Sequence, residues 1–266
     1  MRHASIPVAA ATTMFLLGVF IINLQVWYSA RADSLAEAHY VVRNMNVILK
    51  EARHATEMAK QLAENECDAE GQYRLGTEAA LQPHLRTIVI LKNDAVWCSS
   101  LPGNRVLLVN SSVLPESSLL LVPSASTVNG LPVLLYQTIH AGSRIIVSIS
   151  DSHIRDALDM PLNGVEYSLR VGNSLLGLTG DVTAADPTKK EVLTVKASGY
   201  PFSVQFNSPP LFSLKRLFNR AGGVVLFLLI ISSLSAYILQ RYISKEVSPE
   251  ESLRIAIYRN EIIPYY

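Results

Sequence analysis

Net charge, cysteine and clustered histidine are all scarce in this chain, and each scarcity removes a class of function. Over 266 residues, 23 basic and 22 acidic side chains leave a formal charge of +1, so the chain has no electrostatic footprint for nucleic acid. His39, His54, His84, His140 and His153 are scattered, with none at i,i+4 and none beside a cysteine. That spacing does not make a metal site, and solvated or packed imidazoles are expected. No Gly-x-Ser-x-Gly turn surrounds Ser99 or Ser100, so no catalytic serine is assigned. Residues 172–180 hold three glycines but lack the Lys-Ser/Thr of a phosphate loop, and read as strand and turn. Asn110-Ser111-Ser112 matches a glycosylation sequon, a pattern that chance often produces. There is no internal repeat and no low-complexity segment.

What the chain has instead is two long apolar runs. Residues 7–28 carry Asn23 and Gln25 late in the run, and residues 221–239 carry no charge. A bilayer core of about 30 Å needs roughly 20 helical residues, so both are expected to be membrane spans. A secretory signal peptide is the rival for the first, with Arg2 ahead of it and the small-x-small triplet Ala30-Arg31-Ala32 behind. Its apolar part is too long for that, and a helical pattern continues through the triplet, so an uncleaved anchor is expected. Arg2, Arg241 and Lys245 flank the outer ends of the spans, but Lys215, Arg216 and Arg220 crowd the opposite side. An intervening loop of about 190 residues translocates largely regardless of charge. The expected organisation is a cytoplasmic N-terminus (1–6), a first span (7–28), an external domain (29–214), a second span with its juxtamembrane start (215–240) and a cytoplasmic tail (241–266). In the second span, Ser232 and Ala236 form a small-xxx-small pair, either a face for close approach of two copies or two residues facing lipid.

The external segment is long enough for one independent core. Leu35, Ala38, Val42, Met45, Leu49, Ala52, Thr56, Ala59 and Ala63 follow a 3,4 spacing, so a long helix opens the domain. Its apolar seam serves either its own domain or the same helix of a second subunit. After Cys67 the pattern changes to strands: 87–91 and 95–99 around the turn cluster Lys92-Asn93-Asp94, then 119–122, 133–139 and 144–150, broken at Asn129-Gly130 and Ala141-Gly142. Asp151 is expected to cap a short helix over 153–160 that stops at Pro161. Strands resume at 165–171, 174–178, 192–197 and 202–206. The fold class is α+β: a long N-terminal helix and a mainly antiparallel sheet, similar to the extracytoplasmic domains called PAS-like or Cache-like.

Cys67 and Cys98 are the only cysteines, and a lone pair between two spans suggests a disulfide formed on the oxidising side of a membrane. Three readings stay open: a structural staple, a redox-responsive bond, or two unlinked buried thiols. A staple would restrict the unfolded chain by roughly 3–4 kcal/mol. A redox-responsive bond requires an accessible or strained sulfur. Acidic neighbours do not activate Cys67 as a thiolate, and on the residues alone the staple is preferred.

The order of features resembles a known family. A span, a long helix ending at a cysteine, the run Trp97-Cys98-Ser99-Ser100 within 88–103, and a second span look like the CSS-motif periplasmic domain, the input half of bacterial membrane-bound cyclic di-GMP phosphodiesterases with an EAL output domain. Cys98, Ser99 and Ser100 match the motif, and Cys67 stands where the partner cysteine does. The tail strengthens the match: Ser248-Pro249-Glu250-Glu251 has the form of a capping box, and Glu261-Ile262-Ile263-Pro264-Tyr265-Tyr266 is similar to the first strand of an EAL domain.

The resemblance implies a thiol/disulfide sensor in the bacterial inner membrane, multi-pass, with its main domain in the periplasm. Cys67 and Cys98 would be its redox pair, with Ser99 and Ser100 hydrogen-bonding around it. Implied partners are the membrane, a second copy and periplasmic thiol oxidoreductases. The family's carboxylates and divalent metal belong to the EAL domain, so no cofactor and no catalytic residue carry over, and this chain is expected to be inactive as a phosphodiesterase. The strand at 262–266 is expected to be disordered or sticky alone. The alternative function is a ligand-binding sensor or assembly protein with a purely structural disulfide.

Overall fold

A computed structural model describes residues 5–64, 67–101, 117–127, 130–159, 164–185, 192–243 and 256–258. The sequon at 110–112, Asn129 of one expected turn, the stop at Pro161, the capping box at 248–251 and the strand at 262–266 lie outside the described residues. The chain divides into two compact units, Ala30–Pro209 on one hand and Met1–Ser29 with Pro210–Tyr266 on the other.

Helix α1 (Ser5–Ala63) contributes its first part to the smaller unit and the rest to the larger. In the larger unit its 3,4 positions are buried: Ala38, Val42, Met45, Leu49, Ala52, Thr56, Ala59 and Ala63 all lie in the core, joined by Val41, Ile48 and Ala55. The extra row at 41, 48 and 55 widens the stripe beyond a coiled-coil seam to the face a globular helix buries. The seam is therefore packed on its own domain, which decides between the two readings of that pattern.

Asp68 then caps α2 (Ala69–Leu81), its carboxylate accepting from Gly71 N at 2.7 Å. The sequence pattern does not predict this helix, because Gly71 and Gly76 count against one and Leu75 is its single fully buried large apolar residue. Strands β1 (Leu85–Lys92) and β2 (Ala95–Ser99) form the expected hairpin. Its turn residues Asn93 and Asp94 have φ of 52° and 57°, the left-handed pair that a type I′ turn needs. Next come β3 (Leu119–Val122), β4 (Val133–His140) and β5 (Ser143–Ser150), then α3 (Asp151–Leu158). Ser150 occupies the N-cap position of α3, and its hydroxyl accepts from Ser152 Oγ at 3.2 Å instead of capping a helix N–H. The expected cap, Asp151, is instead the first helical residue, and its buried carboxylate pairs with Arg155 at 2.8 Å. An acidic first turn complements the helix dipole without capping.

Strands β6 (Tyr167–Val171), β7 (Ser174–Leu176), β8 (Val182–Ala184), β9 (Val192–Lys196) and β10 (Phe202–Asn207) complete the larger unit. The strands form two sheets instead of the single one expected: β2-β1-β5-β4-β3 and β8-β7-β6-β10-β9, each five-stranded, with every pair antiparallel. The α3 segment interrupts the chain between them, and α1 is long enough to serve both. Tyr167 of the second sheet meets Ser34 and Glu37, whereas His84 and His140 of the first-sheet half meet Glu51, further along α1, and Glu64, just past its end. One apolar core joins α1, Ile88 and Ile90 of β1, Cys98, Val147 of β5, and Tyr167, Val204 and Phe206 of the second sheet.

In the smaller unit, the start of α1 packs antiparallel on α4 (Leu214–Ile243), which bends at Ala221 (φ −135°) ahead of Gly222-Gly223. Leu217, Ala221 and Val225 are buried against Phe15, Val19, Ile22 and Val26. A Cβ on Gly18 would collide with the Leu228 side chain, so this glycine permits the close approach. Asn23 Nδ2 donates to Leu211 O at 3.0 Å and Ser232 Oγ to Ala11 O at 2.6 Å. Both helices are long and apolar enough to cross a membrane.

Candidate functional site

The two cysteines meet: Cys67 and Cys98 form a disulfide with Cα atoms 5.7 Å apart. Cys98 reaches that position through an irregularity in the β1–β2 ladder. Val89 pairs with Ser99 and Ile90 with Cys98, but Leu91 pairs with Val96, leaving Trp97 as an extra residue. Regular pairing from Val96 onward would place Cys98 opposite Val89, on the face of the sheet where Val89, Leu91, Val122 and Leu135 form a separate apolar cluster. The bulge turns Cys98 to the opposite face, into the main core with Ile88 and Ile90. Trp97 packs against the same core, and Lys92 Nζ lies 3.4 Å from the centre of its ring, within cation–π range.

The two serines work on the backbone. Ser100 N donates to Ile88 O at 2.9 Å and its Oγ accepts from Ile88 N at 3.0 Å, so the side chain carries the ladder one step past the strand end. Ser99 Oγ accepts from Leu101 N at 3.1 Å, shaping the turn that follows. These bonds fix the Cys98 backbone on edge strand β2. Above it, α2 lies close enough that a Cβ on Gly76 would sit 3.4 Å from Ser100 O.

The two sulfurs have different surroundings. Cys98 is 1% exposed. Cys67 is half-buried, between the end of α1 and the N-cap of α2. The bond therefore ties the α1–α2 junction to an edge strand and encloses α2, β1 and β2 in its loop. The described residues that flank Cys67 along the chain are acidic, with Glu64, Asp68 and Glu70 within three positions of it, and Glu64 meets His140 at 3.0 Å.

The histidines stay dispersed, although His84 Nδ1 meets Glu51 at 2.9 Å and its ring stands edge-on to His153 at 5.2 Å. Among the described residues no group of three or more His, Cys, Asp or Glu side chains is placed to hold a metal ion. Ser232 and Ala236 line a groove between the two apolar helices of one chain, with Val8, Ala11 and Phe15. A second copy using that face would have to replace the Ser232–Ala11 bond.

Two features escape sequence reasoning. The buried Tyr167 hydroxyl donates to Glu37 at 2.7 Å and to Ser34 O at 3.1 Å; burial first, then the hydrogen bond to Glu37 and its charge, hold this phenol protonated well above its ordinary range. Glu37 lies on the polar-looking flank of the α1 pattern, and only the tertiary fold brings Tyr167 to it. The second is a cleft of about 330 Å³ on the second sheet, lined by Glu166, Ser168, Asp181, Gln205 and Asn207 among others.

Comparison with known proteins matches residues 30–220 to a family described as the CSS motif domain associated with EAL. Over 266 residues the chain is 51% identical to the "Probable cyclic di-GMP phosphodiesterase PdeG" of Escherichia coli (strain K12). The match covers 100% of this chain and 52% of that protein, so the chain spans about half the length of the curated relative. No solved structure matches.

Proposed function

Because the chain belongs to the CSS-motif domains associated with EAL, we propose that it is the membrane-anchored input part of a cyclic di-GMP phosphodiesterase, with the Cys67–Cys98 disulfide as its redox-responsive element. The observation that carries the reading is the position of the bond. It joins the connection that follows α1, the helix that also contains the first apolar run, to an edge strand, and of its two residues Cys67 is half-buried where Cys98 is buried. Making or breaking it changes what the α1–α2 junction is tied to, while the core around Cys98 persists. Ser99 and Ser100 hold the strand and take no chemical step.

In this reading α1 up to residue 28 and α4 from 215 to 240 span the bacterial inner membrane, segment 29–214 is periplasmic and its sheets belong to the PAS- or Cache-like kind, and 1–6 and 241–266 are cytoplasmic. The protein acts as a homodimer and exchanges electrons with periplasmic thiol oxidoreductases. Hydrolysis of cyclic di-GMP, and the divalent metal that serves it, belong to the output that this input controls. Among the described residues of this chain no group of side chains is placed to hold such a metal.

Thiol trapping in intact cells tests the proposal. With an external reductant that does not cross the inner membrane, the free-thiol form is expected to accumulate and cellular cyclic di-GMP to change with it. A bond that stays oxidised, or a thiol change without any change in cyclic di-GMP, overturns it. The cleft of about 330 Å³ on the second sheet favours a second reading, a ligand-binding sensor with a structural disulfide, since pockets of that size suit small molecules. Reduction would then lower stability and leave signalling intact.

A further inference from the structure

Disulfide exchange begins when a thiolate approaches one sulfur from behind the S–S bond, so the exposed sulfur is attacked and the other leaves. Here access separates the two. Cys98 is 1% exposed, on a strand covered by α2, while Cys67 is half-buried in the connection between two helices. Leaving-group chemistry does not reverse this choice: burial disfavours a Cys98 thiolate, and the flanking carboxylates of Glu64, Asp68 and Glu70 disfavour a Cys67 thiolate. The same carboxylates set the electrostatics of approach. Glu64, Asp68 and Glu70 flank Cys67 along the chain, and the imidazole of His140 meets Glu64 at 3.0 Å.

We propose that electrons enter and leave this domain through Cys67 alone, and that the acidic collar selects for exchange partners whose reactive face is cationic or neutral and against anionic thiols. This rests on the redox reading above. In reduction, the partner's thiolate bonds to Cys67 Sγ, the Cys67–Cys98 bond breaks, and Cys98 leaves as a thiolate and takes up a proton. The partner's second thiolate then attacks its own sulfur in the mixed disulfide. That releases Cys67 as a thiolate, which is protonated, and leaves the partner as a disulfide. The two electrons that reduce the domain come from the partner's dithiol, and oxidation by a disulfide partner runs the same steps backwards. Cys98, held in the core, is the resolving thiol. It recaptures Cys67 from the mixed disulfide, so removing it traps that species.

The test uses the oxidised full chain in membranes, with cysteamine as the cationic thiol and 2-mercaptoethanesulfonate as the anionic one. Reactions are quenched in acid, free thiols are alkylated, and the small-thiol adduct is mapped by mass spectrometry. The adduct is expected on Cys67 with Cys98 free. Per thiolate, cysteamine should react about threefold to tenfold faster at low ionic strength, and high salt should close the gap. A Cys98→Ala chain carrying the Cys67 adduct should retain it after wild type has resolved. An adduct on Cys98, no adduct on the folded protein with either thiol, or equal rates at low salt overturns the proposal. The mapping reads out whether or not reduction alters signalling. A Cys67 adduct without a cyclic di-GMP response therefore sinks the sensor reading and leaves the entry site standing, and a Cys98 adduct with a response does the opposite.

Discussion

Reducing the Cys67–Cys98 bond is the perturbation with the most calculable consequence. The bond spans 31 residues of sequence. In the loop-entropy description, closing a loop of that length takes about 12 cal/mol/K from the unfolded chain, or about 3.7 kcal/mol at 25 °C. Reduction changes almost no side-chain volume, so the comparison avoids the cavity that a Cys98→Ala change would leave in the core. Most of what surrounds the bond is independent of it: β1 keeps its ladder with central strand β5, Leu75 keeps its burial, and Ser100 keeps both bonds to Ile88. The domain should therefore remain folded on reduction, and its melting temperature should fall by roughly 7–15 °C for a domain of this size. Thermal unfolding of the detergent-solubilised chain, followed by circular dichroism with and without a phosphine reductant, measures the drop. Hydrogen exchange should report faster opening confined to Ala69–Leu81 and its flanks. A drop of only about 1 kcal/mol would refute the unfolded-chain argument. Loss of secondary structure at 25 °C would refute the claim that the bond is dispensable for the fold, and with it the switch.

Tyr167→Phe takes one donor from buried Glu37 and should cost about 1–3 kcal/mol in urea unfolding. The Tyr167 phenol has its folded pKa raised above the ordinary value of 10.0, so its stabilisation is complete below that pH and is lost as pH rises toward the raised value. Wild type should accordingly lose stability more steeply than Tyr167→Phe above pH 10, and parallel curves would contradict the assignment. Deleting Trp97 removes the extra residue and makes the β1–β2 pairing regular while leaving Cys98 opposite Ile90. The disulfide should therefore still form, as a free-thiol count in denaturant would show, and two free thiols would refute the account of the bulge. Ser232→Ala removes the hydrogen bond to Ala11 O and should weaken the pairing of the two apolar helices by about 0.6 kcal/mol, measured by thermal unfolding in lipid; a loss well above 2 kcal/mol would contradict that value.

Local pattern by itself determined the elements whose signal lies within a few residues. The 3,4 row from Leu35 to Ala63 specifies the long helix, Asn93-Asp94 specifies the β1–β2 turn, and the uncharged run at 221–239 specifies a long apolar helix. The Trp97-Cys98-Ser99-Ser100 run, with Cys67 upstream, carries the family. What α1 packs against was not legible, because a 3,4 seam fits a sheet or a second helix equally well. Only the burial of Val41, Ile48 and Ala55 beside it shows the wide stripe of a domain core. Helix α2 was hidden because Gly71 and Gly76 weaken its local preference, and it forms through the Asp68 cap and its packing over β1 and β2. The division into two sheets depends on which strands pair across long separations, information that no local window contains. The face on which Cys98 lies is decided in the same way. A period of two predicts it from Val96, the bulge at Trp97 reverses the prediction, and the bulge exists because Cys98 pairs with Ile90 on a neighbouring strand. That reversal buries Cys98, while the helix junction leaves Cys67 half-buried. The residues thus determined that two cysteines could be linked, and tertiary packing decided which of them the solvent reaches.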